Sequence, residues 1–318
     1  MTTRYLYTEK ILIVDDKHRL KFKDMQNLYI KLLIFRLSFI NFANRKEINI
    51  FLKKRYSMIK SLFFDIDGTL VSFNTHEIPS STVKAIAQAK ANGVGIYIST
   101  GRPLHIITNL SAIQPYIDGY ITTNGALCLV KNHIVCCNPI STNDVKTIID
   151  DANENDYTAL VIGEKDVRLY NPKPIFHEVF FQQLNVTNID TTLPAEPVIE
   201  SQRILQITPF FPANHEKSLM DRIPGCVSGR WHSAFTDITA KEADKGKGLL
   251  AMAEYLGLDI AETMAFGDGG NDVTILRQAG IGVAMGNAGT EAKQVANYIT
   301  TSVDDNGIEN ALKHFNVI

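Results

Sequence analysis

The apolar run Leu62-Phe63-Phe64 stops at Asp65-Ile66-Asp67-Gly68-Thr69, the pattern of a buried strand giving way to a glycine turn. Val83, Ile86, Ala87 and Lys90 then recur at helical spacing, with Ser80 or Ser81 as the cap. Further strands are expected at 95–99, 120–123, 263–266, 281–285 and 297–300, the later ones alternating with helices. Leu249, Leu250, Met252, Ala253 and Leu256 mark one such helix, which opens near Lys245 and ends at Gly257. This alternation predicts an α/β fold with a doubly wound parallel sheet and ligands at the carboxyl ends of its strands.

Between 138 and 240 the texture changes, and eight of the eleven prolines fall there. The pattern reads helix (145–153), strands (158–162, 166–170), helix (175–184), strand (203–208), helix (214–221) and strands (226–229, 233–238). That order is an α/β open-faced sandwich inserted as 138–240 into a core domain made of 58–137 and 241–318. An unrelated tethered domain is the competing reading.

A chain of 318 residues suggests about two domains, and 45% hydrophobic with 21% charged residues supports a sizeable core. No uncharged apolar run is long enough to span a bilayer, so no stable membrane insertion is expected. The net charge of −2 is unevenly spread: residues 1–57 hold 13 Lys/Arg against 5 Asp/Glu, and the rest holds 19 against 29. The acidic body, without a basic aromatic surface, argues against nucleic acid as a partner. Within the basic preface, 28–40 is apolar but broken by Lys31 and Arg36, so it could lie on a membrane surface or act as a poor signal sequence. Met58 stands just before the first strand, and residues 1–57 are expected to be an upstream extension outside the biological protein. Cys128, Cys136, Cys137 and Cys226 form no CxxC pattern and read as reduced thiols of a cytoplasmic protein.

The chemistry gathers after the strands. Asp65 and Asp67, two residues apart at a strand end, point the same way, a costly arrangement unless a cation or a reaction uses it. Asp65 fits a nucleophile or metal ligand, and Asp67 its proton-handling neighbour; an Asp-Gly turn is the bland reading. Gly267-Asp268-Gly269-Gly270-Asn271-Asp272 follows the apolar run Met264-Ala265-Phe266 and offers two more carboxylates beside glycines. Asp65 with Asp268 would suit a hard cation such as Mg²⁺; a solvated loop is the alternative. In Ser99-Thr100-Gly101-Arg102 the hydroxyl of Thr100 could donate to a phosphate oxygen and Arg102 could pair with an anionic substrate. Asp244-Lys245-Gly246-Lys247-Gly248 puts a lysine at a helix start, where it would offset the carboxylates and hold a phosphoryl group.

In order and context these segments resemble the four motifs of the haloacid dehalogenase-like phosphohydrolases, in their Cof-type branch with a large C2-type cap, which includes sugar-phosphate phosphatases. Thr123-Asn124-Gly125-Ala126 and Val283-Ala284-Met285-Gly286-Asn287-Ala288 join the resemblance, which runs from about Met58 to the end. Both Lys245 and Lys247 precede a glycine, and the family spacing back from Gly257 selects Lys245. The resemblance implies a Mg²⁺-dependent phosphatase of a small phosphorylated metabolite, foremost a hexose or other sugar phosphate. Asp65 would be the nucleophile that forms an aspartyl-phosphate, Asp67 the general acid/base, and Thr100 and Lys245 the holders of phosphoryl oxygens. The cation would sit on Asp65, the Asp67 backbone carbonyl and Asp268, with Asp272 acting through water. Arg102, Asn124, Gly125 and Asn271 would line the substrate, and the cap would select the leaving group.

Gly229-Arg230-Trp231-His232 brings a cation, the single Trp and a His together, either as a sugar reader or as a core Trp. A phosphomutase or phosphotransferase, or a flavin- or pyridoxal-type precursor phosphatase, would use the same motifs. A non-enzymatic phosphosugar sensor is the reading from outside enzymology, and intact Asp65, Asp67, Lys245, Asp268 and Asp272 argue against it. A monomer or weak homodimer is expected.

Overall fold

The computed structural model describes residues 59–318 except 132, 185 and 187, all within one compact unit, Tyr56–Ile318. The expectations for 1–57, including the apolar stretch 28–40, and for the start at Met58 lie outside the described residues. Among the described residues five strands come first: β1 (Ser61–Phe64), β2 (Gly95–Ser99), β3 (Gly119–Thr122), β4 (Leu127–Val130) and β5 (His133–Cys137). The inserted segment supplies β6 (Ala159–Gly163), β7 (Val167–Tyr170), β8 (Ile204–Pro209), β9 (Cys226–His232) and β10 (Phe235–Ala240). The chain then returns with β11 (Thr263–Gly267), β12 (Ile281–Ala284) and β13 (Tyr298–Ile299).

The core sheet has the order β13-β12-β11-β1-β2-β3-β4-β5. It is parallel from β13 to β3, as the alternation of strands and helices requires. An antiparallel hairpin, β4–β5, extends one edge and was not among the expected strands. A hairpin needs no crossover helix, so it left no strand–helix alternation to read. β1 lies at the centre, where Leu62, Phe63 and Phe64 are fully buried. Phe64 stacks on Phe266 at 4.8 Å and Phe63 on Tyr97 at 5.0 Å, tying β1 to both neighbours. Among the described residues no helix is long and apolar enough to cross a membrane.

The first helix among the described residues, α1 (Ser80–Ala91), is capped by Pro79 rather than by Ser80 or Ser81, and no side chain closes its start. Both serines already lie inside the first turn, and the buried Ser81 hydroxyl has no partner. Helix α2 (Thr142–Glu154) starts earlier than its apolar spacing suggested, because Ser141 accepts from the Asp144 N–H as a true N-cap.

The inserted sheet is antiparallel, in the order β7-β6-β8-β10-β9. Val161, Ile207 and Ile238 point to one face, where α2 and α3 (Ala213–Met220) cover them with Val145, Ile148 and Leu219. Leu160, Ile162, Leu205 and Phe235 point to the other face and meet Phe176, Phe180 and Phe210. That second cluster also includes Ala126 and Leu127 of the core, so this face of the insertion turns toward the core sheet.

Candidate active site

Parallel pairing sets the motif loops side by side. Phe64 of β1 is level with Phe266 of β11 and with Ile98 of β2, so the chain leaves all three strands at one edge. Asp65 therefore emerges beside Asp268, and Thr100 emerges on the other side. Asp65, Asp268 and Asp272 place a carboxylate oxygen each within 4.8 Å of one another. Gly68 is required here. Its φ is +78°, and a Cβ would lie 2.3 Å from an Asp268 oxygen.

Lys245 is the first residue of α4 (Lys245–Leu256), whose N-cap Asp244 accepts from the Lys247 N–H. The Lys245 side chain is fully buried and donates to Asp65 Oδ1 at 2.7 Å and to Asp272 Oδ1 at 2.6 Å. Lys247 instead points outward to Glu242, so of the two lysines only Lys245 reaches the carboxylates. The other Asp272 oxygen accepts from the backbone N–H groups of Asp268 and Gly269, both at 3.0 Å. Asp268 in turn accepts from the Thr69 hydroxyl at 3.2 Å.

Burial drives the Asp65 carboxyl well above the usual carboxylate range, Asp272 pushes it further, and Lys245 only partly opposes this. Asp268 is pushed up to about 6, by burial first and by Asp272 second. For Lys245 burial pulls the other way, but Asp272 and Asp65 outweigh it and raise the ammonium above its ordinary value. Three carboxylates thus share one lysine, and the excess negative charge calls for a further cation. An all-oxygen donor set fits a hard divalent ion of the Mg²⁺ type.

Arg102 sits where its motif predicts but grips a protein group. Its Nε and Nη2 donate to the two oxygens of Asp67 at 2.8 and 2.7 Å, a bidentate clamp. Arg102, expected to face an anionic substrate, is paired with Asp67 in this arrangement. The buried Thr100 hydroxyl accepts from the Arg102 N–H at 3.0 Å. Asn124 is left-handed, at φ 53°, and its amide oxygen accepts from Asn271 Nδ2 at 3.1 Å. Gly125, at φ +96°, lies so close to the Asp244 backbone that a Cβ would meet its carbonyl oxygen at 2.3 Å. The turn after β3 thereby packs onto the start of α4, which carries Lys245.

Asn287, quoted above only as part of a motif, ties the Gly68 turn of the site to the segment after β13. Its Nδ2 donates to the Gly68 carbonyl at 2.8 Å, and its Oδ1 accepts from the Val303 N–H at 3.0 Å. Asn287 follows β12 as Asp268 follows β11, and position at a strand end was the signal for it.

Lys245→Met should destabilise the protein in the absence of divalent cations. Removing one partner of a buried ion group leaves Asp65 and Asp272 facing each other, at a cost of about 3 kcal/mol or more. In a chain of this size that is roughly 6–12 °C in Tm. An unchanged Tm would show that the lysine does not offset these charges.

A family model described as haloacid dehalogenase-like hydrolase matches residues 62–312. The solved HAD subclass IIB sugar phosphatase BT4131 is 43% identical with TM-score 0.74, covering 81% of this chain and 100% of its own. The HAD phosphatase BT1666 of Bacteroides thetaiotaomicron is 33% identical with TM-score 0.73, covering 82% and 97%. The 5-amino-6-(5-phospho-D-ribitylamino)uracil phosphatase YcsE of Bacillus subtilis is 26% identical over 260 residues, 81% of this chain and 96% of its own.

Proposed function

Since the chain belongs to the haloacid dehalogenase-like hydrolases and is a phosphatase, we propose that it hydrolyses a sugar phosphate by way of an aspartyl-phosphate on Asp65. The observation that carries this reading is the Asp65 carboxylate at the mouth of β1, 2.7 Å from the Lys245 ammonium and grouped with Asp268 and Asp272. Asp65 attacks phosphorus, so that one hard displacement becomes two easier ones. Lys245 and Thr100 take phosphoryl oxygens as charge builds on them. Asp67, once released from the Arg102 clamp so that it can carry a proton, protonates the leaving alcohol and later takes a proton from the attacking water. Mg²⁺, when bound by Asp65, the Asp67 backbone carbonyl and Asp268, with Asp272 acting through water, supplies neutralisation of the nucleophile and phosphoryl oxygens. The insertion 138–240 serves as the cap, which excludes water and selects the leaving group.

A second substrate reading has one observation in its favour. YcsE is named for a phosphorylated ribitylamino compound, so a flavin-precursor phosphate remains a candidate. Phosphate release from a panel of hexose and pentose phosphates, ribityl phosphates, nucleotides and pyridoxal phosphate tests both. Preference for pyridoxal phosphate or nucleotides would overturn the sugar-phosphate reading.

Asp67→Asn should separate the two half-reactions. With a leaving group that needs no proton, such as p-nitrophenolate, phospho-enzyme should form quickly and decay about 10²–10⁴-fold more slowly than in the wild type. Rapid-quench measurement of the phospho-enzyme reads this directly; equal slowing of both steps for every leaving group would remove Asp67 from its dual role.

A further inference from the structure

The cap face turned toward the core carries polar residues where packing alone would favour apolar ones. Thr208 of β8 pairs with Leu160 and Gln206 pairs with Ile162, so both point to the same side as those two side chains. Thr239 of β10 pairs with Gln206 and points that way as well, as does Asp237 two residues earlier. Gln206 is 4% exposed; its Nε2 donates to the Thr208 hydroxyl at 2.9 Å, which donates to Asp237 Oδ1 at 2.7 Å. Trp231 Nε1 donates to the other Asp237 oxygen at 2.8 Å. Two features remain unexplained by packing. The buried Gln206 Oε1 has no hydrogen-bond donor, and the Trp231 ring is 61% exposed although its N–H is tied down.

This face packs on core residues that flank the motif loops. Its apolar cluster includes Ala126 and Ala243, neighbours of Gly125 and of Asp244–Lys245, with Leu104 packed against it two residues from Arg102. Arg230 is absent from the face. Its guanidinium is bound to Glu216 Oε2 and to the carbonyls of Phe211 and Ser233, which locks β9 to α3. The network therefore offers acceptors and an aromatic plate but no cation.

Resting on the phosphatase reading of Asp65, we propose that Gln206, Asp237 and Trp231 form the leaving-group subsite and select a neutral polyol. Hydroxyl groups of the polyol donate to the Asp237 carboxylate and to Gln206 Oε1, and its C–H face lies on Trp231. An additional phosphate or carboxylate on the leaving group is repelled by Asp237, so sugar bisphosphates and nucleotides are poor substrates. Burial raises the Asp237 carboxyl against the pull of Thr208 and Trp231, as expected of an acceptor short of donors.

The test compares kcat/KM of the Mg²⁺-loaded full chain for a hexose monophosphate, for the matching bisphosphate, and for acetyl phosphate, whose leaving group has no hydroxyls. Asp237→Asn and Gln206→Leu should each lower the hexose-to-acetyl ratio by about tenfold or more, through KM, and Asp237→Asn should also raise relative use of the bisphosphate. Trp231 is largely exposed but meets the buried Phe235 edge-on at 4.8 Å, so Trp231→Ala is paired with a melting curve and with Trp231→Phe, which keeps a ring against Phe235; the ratio should fall in Trp231→Ala, and Trp231→Phe should restore most of it. A ratio unchanged within about threefold in Trp231→Ala and Asp237→Asn overturns the subsite. If Asp65→Asn still releases phosphate from acetyl phosphate, the failure lies instead with the phosphatase reading of Asp65.

Discussion

Asp65→Asn should abolish turnover, lowering kcat by about 10⁴-fold or more, equivalent to about 5.4 kcal/mol of barrier, while Tm holds or rises. The amide cannot attack phosphorus, so the loss falls on the covalent step and on every step after it. Stability moves the other way because the native carboxylate is held unfavourably, buried and close to Asp272. The neutral isostere removes that repulsion, and Lys245 keeps its bond to Asp272 at 2.6 Å. Steady-state kinetics and a melting curve on the same preparation check both parts. A variant that keeps more than about a tenth of wild-type kcat, a barrier change under about 1.4 kcal/mol, would exclude Asp65 as nucleophile.

Mg²⁺ should raise Tm strongly at pH 7.5 and little at pH 5. The carboxyls of Asp65 and Asp268 lie above their ordinary values in the folded protein, Asp268 at about 6. For a group of that kind the folded state binds more protons than the unfolded one. Its stabilising contribution is complete below the ordinary carboxylate pKa and is lost as pH rises through the folded value. Asp268 therefore loses its contribution between about pH 4 and pH 6, and Asp65, also raised by burial and by Asp272, loses its own in the same direction. A cation replaces the missing protons, and it competes with them below that window. At a concentration about 100 times Kd the gain is about 2.7 kcal/mol, or roughly 5–10 °C. Thermal melts at the two pH values, with and without Mg²⁺, measure it. An equal shift at both pH values, or an undiminished shift in Asp268→Asn, would show that the ion binds elsewhere. Chelation should also remove phosphatase activity, and its return on adding Mg²⁺ alone would identify that ion as sufficient.

The sequence by itself carried the parts of this protein that depend on short stretches of chain. The run Leu62–Phe64 ending in two carboxylates, the glycines after Phe266 and the helical spacing from Leu249 to Leu256 are local patterns. Parallel strands read as continuous apolar runs, so the loops at their ends stand out. That was enough to bring Asp65, Asp268 and Asp272 to one edge of one sheet.

What only the tertiary structure decided were partners far apart in the chain. Lys245 and Lys247 look alike in sequence, yet one is buried between Asp65 and Asp272 while the other reaches Glu242 in solvent. Arg102 reads as a hand for an anionic ligand until Asp67 is seen in its grip. Arg230 and Trp231 are neighbours in the chain, but one locks the cap together and the other stands open beside Asp237. A register shift between Phe235 and Asp237 blurs the period-two pattern there. Local spacing shows which face a side chain takes relative to its own element, whereas what waits on that face is set by packing among segments as far apart in the chain as Gly68 and Asn287.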